Sequence, residues 1–345
     1  MTVLRQAPEH GNEKKLEKLM KAIIPVAGVG TRLRPFTTTV PKPLLPVAGK
    51  PILAHILDSL LSAGIDEIVL VTGYMGDKIQ EYVEKNYNVK AQFVEQEETL
   101  GLGHAVLIGL EVCNEEPVMI ALGDTIIEVG FQDVITSGKN SIGVHYVEDP
   151  RRFGVVELDG DRVIGMQEKP EHPKSNMAIT SPYFFKNSSI LRNALDTLIE
   201  KDIKTRGEYQ LTDAMRIMLE NGEEIYVTQI KGWFDCGTVE TLLTTNHHLL
   251  EHVPLPEPQE NAVLIPPVYI GEDATIEHSV IGPNVSIGEN AVIRESVIAD
   301  SILGNSVEVE HALLKGSVLG NESSYRGSYR KMILGDHSEG GYYEG

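Results

Sequence analysis

A glycine-rich turn and a few charged side chains in this sequence are of the types that handle phosphate. Gly28-Val29-Gly30-Thr31-Arg32 follows the apolar stretch Ala22 to Val26, which reads as a buried strand. Glycines at such a turn let the backbone come close enough to an anion for its N–H groups to point at oxygen. Arg32, directly behind the turn, adds a planar fork suited to pyrophosphate. Lys42 stands in Pro41-Lys42-Pro43-Leu44-Leu45-Pro46, where prolines on both sides stiffen the chain and hold a point charge at a fixed place. Asp124, after Leu122-Gly123, and Asp235, in Trp233-Phe234-Asp235-Cys236-Gly237-Thr238, each close an apolar run. A carboxylate at a strand end is of the type that can serve as a hard ligand or as a cap.

Each feature also has a plainer reading. The glycines alone make a tight turn, Asp124 can cap a turn after Gly123, and Asp235 can cap the helix that follows. A dinucleotide fingerprint needs a third glycine where Leu33 stands, and no GxxxxGK[ST] loop occurs. Nicotinamide chemistry is therefore disfavoured.

The elements that must position these residues follow from periodicity. From Lys21 onward short apolar runs alternate with helical patterns, the signature of a mostly parallel sheet covered by helices. Helices are expected at Pro51 to Ala63, Lys78 to Asn86, Leu102 to Leu110, Ser188 to Glu200, Leu211 to Glu220 and Thr238 to Glu251. Strands are expected at Glu67 to Val71, Lys90 to Val94 and Val118 to Leu122, with shorter antiparallel strands between Ser141 and Phe185. Val253 to Pro267 holds five prolines in fifteen residues, which reads as a linker. Beyond it Ile270, Ile276, Ile281, Ile287, Ile293, Ile298, Leu303, Val309, Leu314 and Leu319 recur every five or six residues. Three such steps close one triangular turn, so about three coils of a parallel β-helix are expected, with Gly271, Gly282, Gly288, Gly304 and Gly320 at corners. The resulting division is a polar arm over 1–20, a catalytic domain over 21–252, a linker over 253–267, the β-helix over 268–320 and an aperiodic tail over 321–345.

The chain has 345 residues, 41% hydrophobic and 23% charged, with no apolar run long enough for a membrane span. A formal charge of −20 repels nucleic acid and anionic membranes, so an anionic ligand must meet a local cationic pocket. The only cysteines, Cys113 and Cys236, form neither a disulfide framework nor a CxxC pair, and the first twenty residues lack a secretory apolar core. A cytoplasmic protein is expected.

The pair Gly28-x-Gly30-Thr31-Arg32-Leu33-x-Pro35 and Pro41-Lys42-Pro43-Leu44-Leu45-Pro46 closely resembles the opening of the nucleotidyltransferases that make sugar nucleotides, which include thymidylyl- and uridylyltransferases acting on glucose 1-phosphate. Gln96 with Leu100-Gly101-Leu102-Gly103-His104-Ala105 is similar to their base-reading loop, and Leu122-Gly123-Asp124 to their metal-holding strand end. Glu168-Lys169-Pro170 and Gly207-Glu208-Tyr209 resemble the sugar-phosphate loops, and Trp233 to Thr238 the second metal position.

The resemblance implies an α/β Rossmann-like, mostly parallel sheet with a short C-terminal left-handed parallel β-helix of hexapeptide repeats. It implies transfer of a nucleoside monophosphate from UTP or dTTP to a sugar 1-phosphate, with glucose 1-phosphate the leading acceptor. Arg32 and Lys42 would act in catalysis. Gly28, Gly30, Thr31, Gln96 and Gly101 would bind nucleotide; Gly154, Glu168, Lys169 and Glu208 would bind sugar phosphate; Asp124 and Asp235 would hold Mg²⁺. Val26-Ala27-Gly28-Val29-Gly30 departs from the Ala-Gly-Gly-x-Gly of thymidylyltransferases toward the uridylyl form, which leaves the base open. Two rivals stand beside this reading. One is a bifunctional N-acetylglucosamine-1-phosphate uridylyltransferase and acyltransferase; the other is a non-catalytic regulatory homologue. A homo-oligomer is expected, with the β-helix an assembly or regulatory element that packs on a neighbouring subunit or on the catalytic domain.

Overall fold

A computed structural model describes residues 20–328. The expected polar arm, apart from Met20, and the end of the expected tail lie outside the described residues. The described chain divides into two units, one of residues 20–46 and 50–245 and the other of residues 47–49 and 246–328.

In the first unit the strands are β1 (Lys21–Pro25), β2 (Glu67–Thr72), β3 (Lys90–Glu95), β4 (Val118–Ile120), β5 (Thr125–Glu128), β6 (Ser141–Tyr146), β7 (Gly154–Asp159), β8 (Arg162–Glu168), β9 (Met177–Phe185), β10 (Tyr226–Gln229) and β11 (Gly232–Asp235). The helices are α1 (Ile52–Ser62), α2 (Gly76–Asn86), α3 (Leu102–Leu110), α4 (Phe131–Thr136), α5 (Ser188–Glu200), α6 (Leu211–Glu220) and α7 (Val239–Leu250), the unit division falling inside α7. Nine strands form one sheet in the order β3-β2-β1-β4-β9-β6-β10-β8-β7, and β5 pairs antiparallel with β11 beside it. β1 to β4 run parallel to one another, while β9 lies antiparallel to both β4 and β6.

The periodicity accounts for these elements. Ile52, Leu53, Ile56, Leu57 and Leu60 of α1 recur at helical spacing and are all buried. Ile23, Val69 and Val71 pack in one core with Val106 and Leu110 of α3 and Leu191, Leu195 and Leu198 of α5. Because β1, β2 and β4 are parallel, their carboxyl ends open on one side, and Gly28 and Asp124 both follow such ends.

The second unit is a parallel β-helix. Twelve short strands stack in three four-stranded parallel sheets, so the helix has four coils rather than three. The extra coil comes from both ends. Ala262–Leu264, inside the stretch expected as linker, pairs with Ser279–Ile281, and Ser324–Arg326, inside the expected tail, pairs with Glu308–Glu310. Prolines flank Ala262–Leu264 without interrupting it, so their density concealed a strand. The aliphatic period holds: Ile276, Ile293 and Val309 stack in register, all buried.

Several corners are turned by left-handed residues other than glycine, among them His278, Glu295 and His311. Gly271, Gly288 and Gly304 instead form a column whose backbones approach too closely for a Cβ, and at its foot Asn321 Oδ1 accepts from Asn305 N over 2.9 Å.

Candidate active site

The glycine turn and the proline-framed lysine meet. Gly30 has φ of 68°, and a Cβ there would lie 3.0 Å from Lys42 Cβ and 3.1 Å from Thr37 Cγ2. Only glycine takes this conformation cheaply and leaves room for the lysine. Thr37 is buried and donates to Gly30 O over 2.9 Å, which fixes the turn from behind. Gly28, Gly30, Thr31, Arg32, Lys42 and Asp124 line one cleft of about 410 Å³. Lys42 is 8% exposed, and its Nζ donates to Asp124 Oδ2 over 2.6 Å.

Asp124 and Asp235 end up side by side because their strands pair. Thr125 lies opposite Asp235 in the β5–β11 ladder, and Cys236 N donates to Asp124 O over 3.0 Å. Burial opposes ionisation of Asp124, but the Lys42 charge and hydrogen bond, the Thr125 hydroxyl at 3.1 Å and Arg32 outweigh it, so its carboxyl sits below the usual range. Asp235 is pushed the other way, by burial first and then by the Asp124 charge, against the pull of Lys42, Arg32 and Arg152. The capping alternative for Asp235 does not apply. Thr238 starts α7 through reciprocal bonds with Thr241, at 3.0 Å and 3.3 Å. A Cβ on Gly237 would sit 2.9 Å from both Asp235 carboxylate oxygens and 3.2 Å from Arg32 Nη2, so carboxylate and guanidinium converge over that glycine.

Gln96 is 6% exposed rather than a surface residue. Its Nε2 points at Gly101 O, 3.3 Å away, and at His104 Nδ1, 3.1 Å away. His104 is thus held to the Gln96 side chain. Gly101 has φ of 113° and faces the Tyr209 backbone at a separation with no space for a Cβ. Across this contact Tyr209 N donates to Leu100 O and Gly103 N to Tyr209 O, both at 2.8 Å.

The sugar-phosphate candidates form a second group. Glu168 and Lys169 pair at 3.1 Å, but the Glu168 side chain is only 7% exposed, so this is no ordinary surface ion pair. A Cβ on Gly154 would lie 2.8 Å from Glu168 Oε2 and 2.5 Å from Thr212 Oγ1. Glu208 stands apart from this pair. It is exposed, lies beside Gly101 and accepts from Gln210 Nε2 over 2.9 Å. Tyr183 is buried, and its hydroxyl is pushed well up by that burial and then by the charges of Glu168 and Asp124.

Sequence reasoning missed Thr37, Thr125, Arg152 and Arg206. Thr125 had a usable signal, since a hydroxyl next to a carboxylate at a strand end can orient it. Arg206, whose Nη2 reaches Lys169 O at 3.3 Å, had none.

Residues 21–252 match the nucleotidyl transferase family model, and the chain belongs to that family. It is 35% identical over 276 residues to a glucose-1-phosphate thymidylyltransferase of Streptomyces antibioticus, covering 75% of this chain and 75% of that protein. It is 37% identical over 261 residues to the bifunctional protein GlmU of Methanocaldococcus jannaschii, covering 74% of this chain but 61% of that protein. Among solved structures, a Bacillus anthracis protein provisionally assigned as a glucose-1-phosphate thymidylyltransferase, in complex with sucrose, superposes with a TM-score of 0.59 at 27% identity, covering 69% of this chain and 98% of that one. A UDP-glucose pyrophosphorylase complexed with UDP-glucose shares the fold, with a TM-score of 0.60 at 24% identity, over 68% of this chain and all of that one.

Proposed function

We propose that this chain transfers a nucleoside monophosphate from dTTP or UTP to a sugar 1-phosphate, with glucose 1-phosphate the leading acceptor, and releases pyrophosphate. The observation that carries this reading is the convergence of the Gly28–Arg32 turn, Lys42 and Asp124 in one cleft. Arg32 and Lys42 line that cleft together with the glycine turn, which supports assigning a triphosphate to it.

The nucleophile needs no general base, because a phosphate monoester with a second pKa of about 6 is largely dianionic at neutral pH. Its oxygen attacks the α-phosphorus, the bond to the β-phosphate oxygen breaks, and pyrophosphate leaves with the bonding pair. The protein's task is to hold two anions in line and to stabilise charge where it develops. Arg32 is assigned to the pyrophosphate, Lys42 to the triphosphate as a point charge, and the amides of Gly28, Gly30 and Thr31 to phosphate oxygens. Lys169 is assigned to the acceptor phosphate, with Gly154, Glu168 and Glu208 at the sugar. Gln96 is assigned to the base: its Nε2 is taken up by protein acceptors, which leaves its amide oxygen to accept from the imide N–H that uracil and thymine share. Gly101 is assigned to the nucleotide as part of the same turn, which its close packing on the Tyr209 backbone holds in place.

Asp124 and Asp235 fit a hard divalent cation. Burial and then the Asp124 charge push the Asp235 carboxyl up, and a bound divalent cation would relieve that repulsion. We assign Mg²⁺ to this pair; when bound, it neutralises phosphate charge.

Pyrophosphate release with Mg²⁺, each nucleoside triphosphate and a panel of sugar 1-phosphates tests the reading. Release with dTTP or UTP and a hexose 1-phosphate is expected. No release with any pair would sink it, and acetyl-CoA consumption with an amino-sugar phosphate would move the assignment to the bifunctional class.

A further inference from the structure

The segment from Thr205 to Gln210 touches both groups of candidate residues, and its anchor is a buried carboxylate that the proposed reaction does not use. Asp213, in the first turn of α6, is 5% exposed. Its Oδ2 accepts the Thr205 hydroxyl over 2.7 Å, and its Oδ1 lies 3.4 Å from Arg216 Nη2. Thr205 and Glu208 exchange backbone bonds of 3.0 Å and 3.2 Å, which closes the segment into a tight loop. From that loop Arg206 reaches Lys169 O, and Tyr209 exchanges two backbone bonds with the Leu100–Gly103 turn. A second tether holds the same loop, since Tyr209 donates its hydroxyl to Asp202 Oδ1 over 2.7 Å. Thr205, Asp213, Arg216 and Glu168 also line a single cavity of about 760 Å³, so the loop is not backed by solid core on that side. With open space behind it, the loop depends on its polar anchors.

We infer that Asp213, acting through the Thr205 hydroxyl, is a positioning residue that keeps the base-side turn and the sugar-phosphate loop in a fixed mutual arrangement. The inference rests on the functional reading above, which places nucleotide at Gly101 and acceptor at Lys169. A hydrogen bond to a buried carboxylate is of the stronger kind, and leaving that carboxylate short of a partner is costly. Loss of the Thr205 hydroxyl should therefore loosen both subsites together without touching the groups assigned to the phosphates.

The test compares Thr205→Val, Thr205→Ser and Asp213→Asn in the full chain. Thr205→Val is expected to raise the KM for nucleotide and the KM for sugar 1-phosphate each by about tenfold, with kcat within about twofold, and Thr205→Ser to restore both. Amide hydrogen exchange at Gly103 and Tyr209, whose N–H groups bond across the contact, should speed up in Thr205→Val and Asp213→Asn and return to normal in Thr205→Ser. Exchange needs no turnover, so it judges the anchor even if the wild-type protein releases no pyrophosphate and the functional reading falls. Unchanged exchange at Gly103 and Tyr209 in Thr205→Val would overturn the inference. So would a lower melting temperature with both KM values intact, because the hydroxyl would then be merely structural.

Discussion

Lys42 and Asp124, 82 positions apart, meet in a hydrogen-bonded ion pair of 2.6 Å. The lysine is held by prolines in a short loop and the aspartate by the end of a buried strand, so neither partner is free to wander. Against its burial, the lysine charge and hydrogen bond hold the Asp124 carboxyl below the usual carboxylate range. The pair puts a cation proposed to meet triphosphate and a carboxylate proposed to hold metal within one bond length of each other.

Removing the carboxylate should separate metal binding from folding. Asp124→Asn keeps the size and the hydrogen-bonding edge but not the charge, so the fold should survive while turnover falls by about a hundredfold or more. Paramagnetic titration with Mn²⁺ as a probe should show a bound ion in the wild type and none in the variant. Full activity in excess EDTA would end the two-aspartate assignment.

Arg32 and Lys169 should fail in different ways. Arg32 stands over Gly237 beside Asp235, whereas Lys169 pairs with Glu168 in the other group. Arg32→Ala is expected to lower kcat by about a hundredfold with little change in sugar-phosphate KM, and Lys169→Ala to raise that KM by about tenfold or more. Steady-state kinetics on both variants decide the matter. The same loss in the same parameter would mean that the two roles are not distinct.

The two turn glycines should also differ. A Cβ on Gly28 meets nothing within 4 Å, while one on Gly30 meets Lys42 and Thr37 in a left-handed backbone. Gly28→Ala should leave the melting temperature unchanged and weaken only nucleotide binding. Gly30→Ala should cost about 1–2 kcal/mol in stability and turnover as well, by strain and by displacing Lys42. Thermal melts alongside nucleotide titrations check both.

Much of this arrangement was legible in the sequence because it depends on local signals. The helices at Leu102–Leu110, Ser188–Glu200 and Leu211–Glu220 fall at the expected residues, the last two because they are amphipathic over their length and the first because it is an almost wholly apolar run that opens after Gly101. The glycine turn and the proline-framed lysine were readable for a similar reason, since backbone chemistry dictates them. What escaped is long-range. Whether Asp124 pairs with Lys42, whether Glu168 is buried and whether Asp213 ties down Thr205 all depend on which strands and loops become neighbours. The fourth coil escaped for a different reason. Ala262–Leu264 is a strand only because Ser279–Ile281 lies beside it, and its proline-rich flanks argued the other way.

Both cysteines predict how the protein responds to alkali. Burial pushes the Cys113 thiol up to about 11 and the Cys236 thiol up to about 12. In the unfolded chain a thiol ionises near 8.5. Above that pH the unfolded state sheds protons that the native state keeps, so stability falls as pH rises from about 8.5 toward the native values, by about 1 kcal/mol per pH unit for each thiol. Below that window both states hold the proton and the thiols contribute no slope. Denaturant melts between pH 7 and 10 should show the decline, and Cys113→Ala with Cys236→Ala should flatten it. An equal slope in the double variant would assign the decline to other groups.

Asn246 offers a test confined to the second unit. It is 1% exposed, and its Oδ1 accepts from Ala48 N over 2.8 Å and from Ser286 Oγ over 2.6 Å, while its Nδ2 donates to Asn284 O over 3.5 Å. One amide thus ties the Val47–Gly49 loop to the β-helix, and Ala48 sits there in a left-handed backbone with φ of 47°. Asn246→Leu keeps the branching at Cγ but is bulkier, and it leaves the Ala48 N–H and the Ser286 hydroxyl without their acceptor. A loss of about 2–4 kcal/mol is expected, from two buried donors at 1–3 kcal/mol each with partial relaxation. The chemistry assigned to Arg32 and Lys169 involves none of these atoms, so kcat per folded molecule should hold below the new melting temperature. A variant as stable as the wild type would show that the amide is dispensable. A stable variant without turnover would instead tie the loop after Lys42 to the chemical step.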